Sequence, residues 1–207
     1  MKMKATSIFG RGVLAALMIC AVFAGSAAAA PAWKFEGKTL EGSETIVGGA
    51  EDSFLTVPGL TTDCENFLYK VSISNSAGTG VGSVNELPLY DCGTNSEFCT
   101  VEAIEAEKLP WSTKLTTVSS SNYIVIEGVK VGVLYGGEEC VLNEVLAKIT
   151  GSAGGLVNNT TESATFNATT FKATATKLSA LGSSVEWQGF FPTEAFEWNR
   201  EKALTVG

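Results

Sequence analysis

Val129-Lys130-Val131-Gly132-Val133-Leu134-Tyr135 carries the decision on architecture. Val129, Val131, Val133 and Tyr135 fall on one side of an extended chain, with Lys130, Gly132 and Leu134 on the other. Strand side chains alternate between faces whereas a helix repeats every 3.6 residues, so this stretch reads as a half-buried β-strand. The same alternation recurs elsewhere. Lys70-Val71-Ser72-Ile73-Ser74 sends Val71 and Ile73 inward, and Val185-Glu186-Trp187-Gln188 turns Glu186 and Gln188 outward. Further strands are predicted near 33–36, 45–48, 80–85, 100–105, 113–118, 123–127, 146–150, 155–158, 163–166 and 170–176. Glycine- and asparagine-rich breaks at 74–78, 135–137, 151–155 and 182–184 separate them. Many short strands with turns at this spacing predict an all-β, antiparallel, jelly-roll-like β-sandwich, with a closed β-barrel as the alternative.

Only 102–108 and 193–202 leave room for a helical turn or two. Glu102-Ala103-Ile104-Glu105-Ala106-Glu107 breaks strict alternation, which predicts a bulge before Leu109-Pro110-Trp111. Pro110 has no N–H to give to a ladder and belongs at a strand end or edge.

The sandwich is expected to begin after an export signal. Lys2, Lys4 and Arg11 precede an apolar run over 13–24, and Gly25-Ser26-Ala27-Ala28-Ala29-Ala30-Pro31 supplies the small residues of a cleavage site. The run is short of the roughly 20 residues of a spanning helix. Residues 1–29 are therefore read as a signal peptide, cut after Ala29, and 30–207 as a single all-β domain. Cys20 leaves with the signal, and nothing later is long and apolar enough to enter a membrane. Secretion, to the extracellular space or the cell envelope, is the expected localisation.

Three of the 14 basic residues and none of the 22 acidic ones lie in that segment, leaving 11 bases against 22 acids and a net charge near −11. Such a surface repels phosphate backbones and anionic membranes, so nucleic acid is not an expected partner.

Asp91-Cys92-Gly93-Thr94-Asn95-Ser96-Glu97-Phe98-Cys99 holds two of the four cysteines that remain, the others being Cys64 and Cys140. An even count in an exported chain reads as two disulfides. A zinc or thioredoxin-like site would want a CxxC pair or histidines, and the chain has no histidine. Of three pairings, Cys92–Cys99 with Cys64–Cys140 is favoured, because the polar insert suits a small closed loop.

The missing histidine also removes Ser-His-Asp, Cys-His and His-zinc chemistry, and no SxxK motif is present. Carboxylate-pair glycosidase chemistry is left. Asn122-Tyr123-Ile124-Val125-Ile126-Glu127 has a faint likeness to a strand of family-11 xylanases, but Asn122 stands where their nucleophilic glutamate would be. Calcium is a second ligand to weigh, through Asp63, Glu65, Asn66, Asp91, Glu138 and Glu139, although no Asp-x-Asp-x-Asp-Gly loop occurs. Glycan binding would need aromatic platforms. Trp33, Trp111, Trp187 and Trp198 are available, with Tyr69, Tyr90 and Tyr123 beside them. Trp187 alternates into the core; Trp111 reads as a core plug or end lid, with ligand stacking the lesser reading. Trp111 and Trp198 are the candidate ligand-facing rings. Asn158-Asn159-Thr160-Thr161 is read as a turn.

At Leu109-Pro110-Trp111 followed by Lys114-Leu115, at 151–155, and at Trp187-Gln188-Gly189-Phe190, the chain resembles uncharacterised secreted β-rich proteins of actinobacteria. The likeness covers most of the chain after residue 29, including the four cysteines. It implies export, disulfides and β architecture, and no reaction or ligand. The expectation is a non-enzymatic secreted or envelope-associated protein, structural or adhesive, without a cofactor. Its partners would be a cell-surface glycan or further copies of itself. A glycan- or calcium-binding module is the alternative, and a carboxylate-pair glycosidase comes third.

Overall fold

The computed structural model describes residues 29–57, 59–159, 163–166, 178–192, 195–197, 200–202 and 204–207. The part of the expected export signal up to residue 28 and the strand predicted at 170–176 lie outside the described residues. Every regular element among the described residues is a strand. β1 (Trp33–Phe35) and β2 (Lys38–Thr39) come first, then β3 (Ser43–Val57), β4 (Leu60–Ser76) and β5 (Thr79–Glu86). Two short strands follow, β6 (Leu89–Thr94) and β7 (Thr100–Ala106), then β8 (Trp111–Val118), β9 (Ser121–Gly136) and β10 (Leu146–Asn158). The remainder are β11 (Ser163–Phe166), β12 (Leu178–Ala180), β13 (Ser183–Pro192), β14 (Ala195–Glu197), β15 (Arg200–Lys202) and β16 (Leu204–Val206).

The alternation behind the reading of 129–135 is a core face in fact. Val129, Val131, Val133 and Tyr135 are all buried on β9, as are Val185 and Trp187 on β13, while Glu186 and Gln188 face out. Each buried aliphatic side chain of this kind stabilises the fold by roughly 1.5–3 kcal/mol. Val71 is half-buried and Ile73 fully buried on β4.

All pairings are antiparallel. The main sheet runs β11-β10-β12-β13-β3-β4-β5-β8-β9-β7, with β6 added to β4, and β10 also pairs β9. The strands wrap one shared hydrophobic cluster in a sandwich-like arrangement, in which β10–β9 and β5–β8 complete the circuit of ladders and no ladder joins β6 to β7. Long strands carry this wrapping by changing partners along their length. β4 pairs β6 through Thr62–Phe67 and β5 through Lys70–Ser76, while β9 pairs β8 with its first half and β7 with its second. A small separate sheet, β16-β1-β2, seals one side, with Asn75 bonded to the backbone of both Trp33 and Leu40.

Three expectations need correcting. Of the stretch 102–108, allowed a helical turn, Glu102–Ala106 belong to β7, whose irregularity is the predicted bulge, at Glu102 between Val101 and Ala103. In 193–202 the described residues form the hairpin β14–β15. Nor does 151–155 separate two strands. β10 runs through it with a bulge between Gly151 and Ser152, and the ladder to β9 continues through Ala153, Gly154 and Gly155. Ala153, Gly154 and Gly155 are buried, so a composition that reads as a loop belongs here to a buried stretch of strand. Pro110 does stand at a strand end, immediately before β8.

Among the described residues no helix is long and apolar enough to cross a membrane.

Candidate functional site

The four cysteines form two disulfides, but in a different pairing from the one favoured on sequence. Cys64 joins Cys92 and Cys99 joins Cys140. Strand register, not proximity in sequence, decides. Cys92 on β6 lies directly opposite Cys64 on β4, with Cα atoms 4.0 Å apart. The loop between Cys92 and Cys99 closes without a covalent bond, because the Thr94 hydroxyl sits within hydrogen-bond distance of the Cys99 (2.7 Å) and Ser96 (3.0 Å) carbonyls. Cys99 is thereby turned toward the chain that follows β9. Gly137 permits that approach with a positive φ of 113°, where a side chain would collide with the Phe98 carbonyl oxygen.

Both bridges fasten strands that have only one ladder partner. Among the described residues β6 pairs β4 alone, and β7 pairs β9 alone. Cys64–Cys92 ties β6 to β4; Cys99–Cys140 ties the chain just before β7 to the chain just after β9. At the other end of these strands β5 and β8 close the wall, from Val81↔Lys114 to Val84↔Trp111. Beyond Trp111 the wall divides into β6 and β7, which form no ladder with each other. A cleft of about 400 Å³ opens in this fork, floored by Leu87, Leu89, Ile104 and Leu109 and flanked by Glu86 and Glu105. Leu87 is buried, and it and Leu89 also line a void of about 10 Å³ inside the core, so they separate the cleft from the interior.

Glu107 closes the β7 side of the fork. Its N–H donates to the Lys130 carbonyl (2.7 Å), its carboxylate pairs with the Lys130 ammonium (2.8 Å), and its carbonyl accepts from Trp111 Nε1 (2.9 Å). The hydrogen bond from Lys130 holds the Glu107 carboxyl below its ordinary value against a desolvation effect that would raise it, and the charges of Lys130, Lys148 and Lys108 assist. Deeper in, Tyr135 Oη bonds Thr62 Oγ1 at 2.7 Å, and burial pushes the phenol above its usual range, the Thr62 bond partly offsetting it.

The aromatic candidates sort clearly. Trp111 is only 2 % exposed, so it is not ligand-facing; it plugs the core, as its neighbouring proline and its bond to Glu107 dictate. Trp33 and Trp187 are buried as well, bonded through Nε1 to the Val81 carbonyl and to Ser53 Oγ. Trp198 lies outside the described residues. Tyr69 and Tyr123 are buried, and Tyr90, on β6, is 47 % exposed. Phe98 and Val141, each next to a bridging cysteine, are exposed too.

The calcium candidates do not converge. Asn66 Nδ2 donates to Asp91 Oδ2 (3.3 Å), but no group of three acidic or sulfur ligands poised around one point occurs among the described residues. Of the xylanase-like stretch, Glu127 forms an exposed ion pair with Lys114, and Asn122 accepts from Thr117 Oγ1. Asn159 lies in the turn that follows β10, and its side chain holds the Val206 backbone through both its oxygen and its nitrogen.

No family model, curated protein or solved structure matches this chain.

The cleft residues Glu86, Leu87, Leu89, Ile104, Glu105 and Leu109 were not singled out by sequence. One local signal was there to be used. Leu87-Pro88-Leu89 places a proline between two strand-like runs, which prevents β5 from continuing into β6 as a single paired strand.

Proposed function

We propose that this chain is an exported, non-enzymatic protein of the extracellular space or cell envelope, structural or adhesive in role. The observation that carries the reading is where the covalent reinforcement lies. Both disulfides secure β6 and β7, the strands of the main sheet with a single ladder partner among the described residues, and the same end presents Tyr90, Phe98 and Val141 to solvent. Intrachain disulfides persist in oxidising compartments, and a surface kept rigid at its contact end suits attachment more than turnover. The acidic balance supports solubility outside the cell and disfavours nucleic acid as a partner.

The test is expression of the full chain in a bacterial host, followed by fractionation, N-terminal mass mapping and thiol titration. A product beginning near Ala30, outside the cytosol and without free thiols, that binds envelope preparations supports the reading. Retention of the uncut chain in the cytosol would remove it. So would release of reducing sugars that disappears on a single Glu-to-Gln change.

A further inference from the structure

We infer that the fork between β6 and β7 is an acceptor slot for an extended, cationic segment of another protein, bound by strand addition. This deepens the adhesive reading by naming the chemistry of the partner.

Backbone direction is the first argument. Residues opposite each other in an antiparallel pair alternate between hydrogen-bonded pairs and closer, non-hydrogen-bonded ones with Cα atoms about 4.5 Å apart. The 4.0 Å separation of Cys64 and Cys92 marks the second kind, so the Cys92 N–H and C=O point away from β4, toward the fork. On β7 the Glu107 N–H donates to Lys130 across the register that pairs Ala106 with Val131. Glu107 and Glu105 are therefore the bonded positions, and Ile104 and Ala106 direct their N–H and C=O away from β9. Both lips thus turn backbone donors and acceptors toward one gap, and no strand pairs them there among the described residues.

Exposed edges of this kind recruit other strands unless they are blunted, and natural edges are commonly blunted by charge, bulges or brevity. Here the bulge at Glu102 lies toward the disulfide-bridged end of β7, and the stretch around Ile104 and Ala106 is regular. The floor of Leu87, Leu89, Ile104 and Leu109 would receive apolar side chains from alternate positions of an incoming strand. The cleft lining bears two carboxylates, Glu86 and Glu105, and no cation. Glu86 is already paired with Lys70 at the rim, while no ion pair is found for Glu105 among the described residues. Lysine or arginine on the incoming strand matches this lining. A second copy of the chain, with 22 acids against 14 bases and the same acidic lips, does not.

The disulfides complete the picture. Strand addition needs lips held apart at fixed spacing, since lips free to close would pair with each other or collapse onto the floor. Each bridge anchors one lip to its own side of the wall; the Thr94 hydroxyl, bonded to the Cys99 carbonyl, joins the lips at their bridged end, and the gap is confined to the stretch beside Leu89, Ile104 and Ala106.

The probe is a pooled library of octapeptides alternating Lys or Arg with Val or Ile, offered to oxidised protein with both bridges intact. Binding is read by fluorescence anisotropy and by backbone hydrogen exchange. The expected result is saturable binding that slows exchange at Cys92, Ile104 and Ala106. N-methylating alternate peptide nitrogens should weaken binding about tenfold or more, as loss of backbone hydrogen bonds would. Glu105→Lys should weaken it roughly three- to tenfold with the melting temperature unchanged, and Glu-for-Lys peptides should bind similarly poorly. The inference fails if nothing binds up to about 1 mM. It also fails if N-methylation has no effect, or if slowed exchange appears on other strands. Slowing that appears with protein concentration alone would make the slot a self-interface and overturn the cationic partner. Because purified protein is used, a negative result here leaves the export test standing separately.

Discussion

β8 and the two lips belong to the same wall and are secured in opposite ways. β8 has a ladder on each side, to β5 and to β9, and sends Trp111, Thr113 and Leu115 into the core. β6 and β7 each have one ladder, and neither contributes a fully buried residue. Hydrogen bonds and burial are therefore enough for β8 and insufficient for the lips. The four cysteines are spent where those terms are weakest. Within the main sheet, the disulfides sit beside the two strands that have a single ladder partner among the described residues.

The largest expected effect falls on the doubly paired side. Trp111→Ala would remove a fully buried ring and leave the Glu107 carbonyl without its donor, at a cost of about 3–5 kcal/mol. A urea titration should show a lower midpoint with a single transition, and hydrogen exchange should rise across all strands together. A loss below about 1 kcal/mol would mean that the wall does not depend on β8 as described.

Breaking a lip bond should look different. Replacing Cys64 and Cys92 by serine releases a constraint spanning 28 residues, and the Cys99–Cys140 bond spans 41, so each removal should cost about 2–4 kcal/mol. The distinctive readout is local. Amides of β6 should exchange faster by a larger factor than those of β8, because β6 has little burial to fall back on. Equal acceleration in both strands would dissolve the contrast between them.

A third effect, smaller, sits where the two regions meet. Tyr135 on β9 bonds Thr62 on β4 beneath the fork. Tyr135→Phe keeps the ring and strands the Thr62 hydroxyl, costing about 1–2 kcal/mol by equilibrium unfolding. The native phenol also predicts a sign at high pH. Its folded pKa is raised, so the unfolded chain loses its proton first, near 10.0. Stability should be unaffected by this group below that value and fall as pH rises past it, and Tyr135→Phe should shallow that alkaline decline.

These contrasts also show what could be read from sequence. Val129 to Tyr135 was legible because one face of that strand is buried without interruption, and burial imposes period two. Most of β4 was not. Leu60, Thr62 and Cys64 point inward and so do Phe67 and Tyr69, so the buried face changes parity at Glu65 and Asn66. At that row the ladder from β4 to β6 skips a pair, and Asp91 takes a left-handed backbone with φ of 51°. A phase change reads as noise in a periodicity scan. The cysteine pairing was illegible for a related reason, since it depends on the register of β6 against a strand whose extent was not visible. Trp111 gave a clearer signal, its proline neighbour marking a strand end, and its burial followed. The slot is defined by strands that do not pair with each other, a relation that no local pattern encodes.

The smallest expected effect concerns the non-covalent fastening of β7. Glu107 reaches Lys130 on β9 at the end of the lip nearest β8, where no disulfide helps. Its carboxyl is held below the ordinary 4.5, chiefly by the Lys130 hydrogen bond. A lowered acid stabilises the folded state above its unfolded pKa, and the contribution is lost as pH falls through the folded value. Acidification from neutral to about pH 3 should therefore loosen the residues around Ile104 and Ala106 before the bridged end of the same strand. Glu107→Gln, which keeps the shape but not the charge, should reduce that pH dependence with little change in the overall transition. Measuring exchange at Ala106 and at Thr100 across the titration sets the ion pair against the disulfide within a single strand. If Thr100 loosens as early as Ala106, the bridge is not what holds the lip, and the two regions differ only in burial.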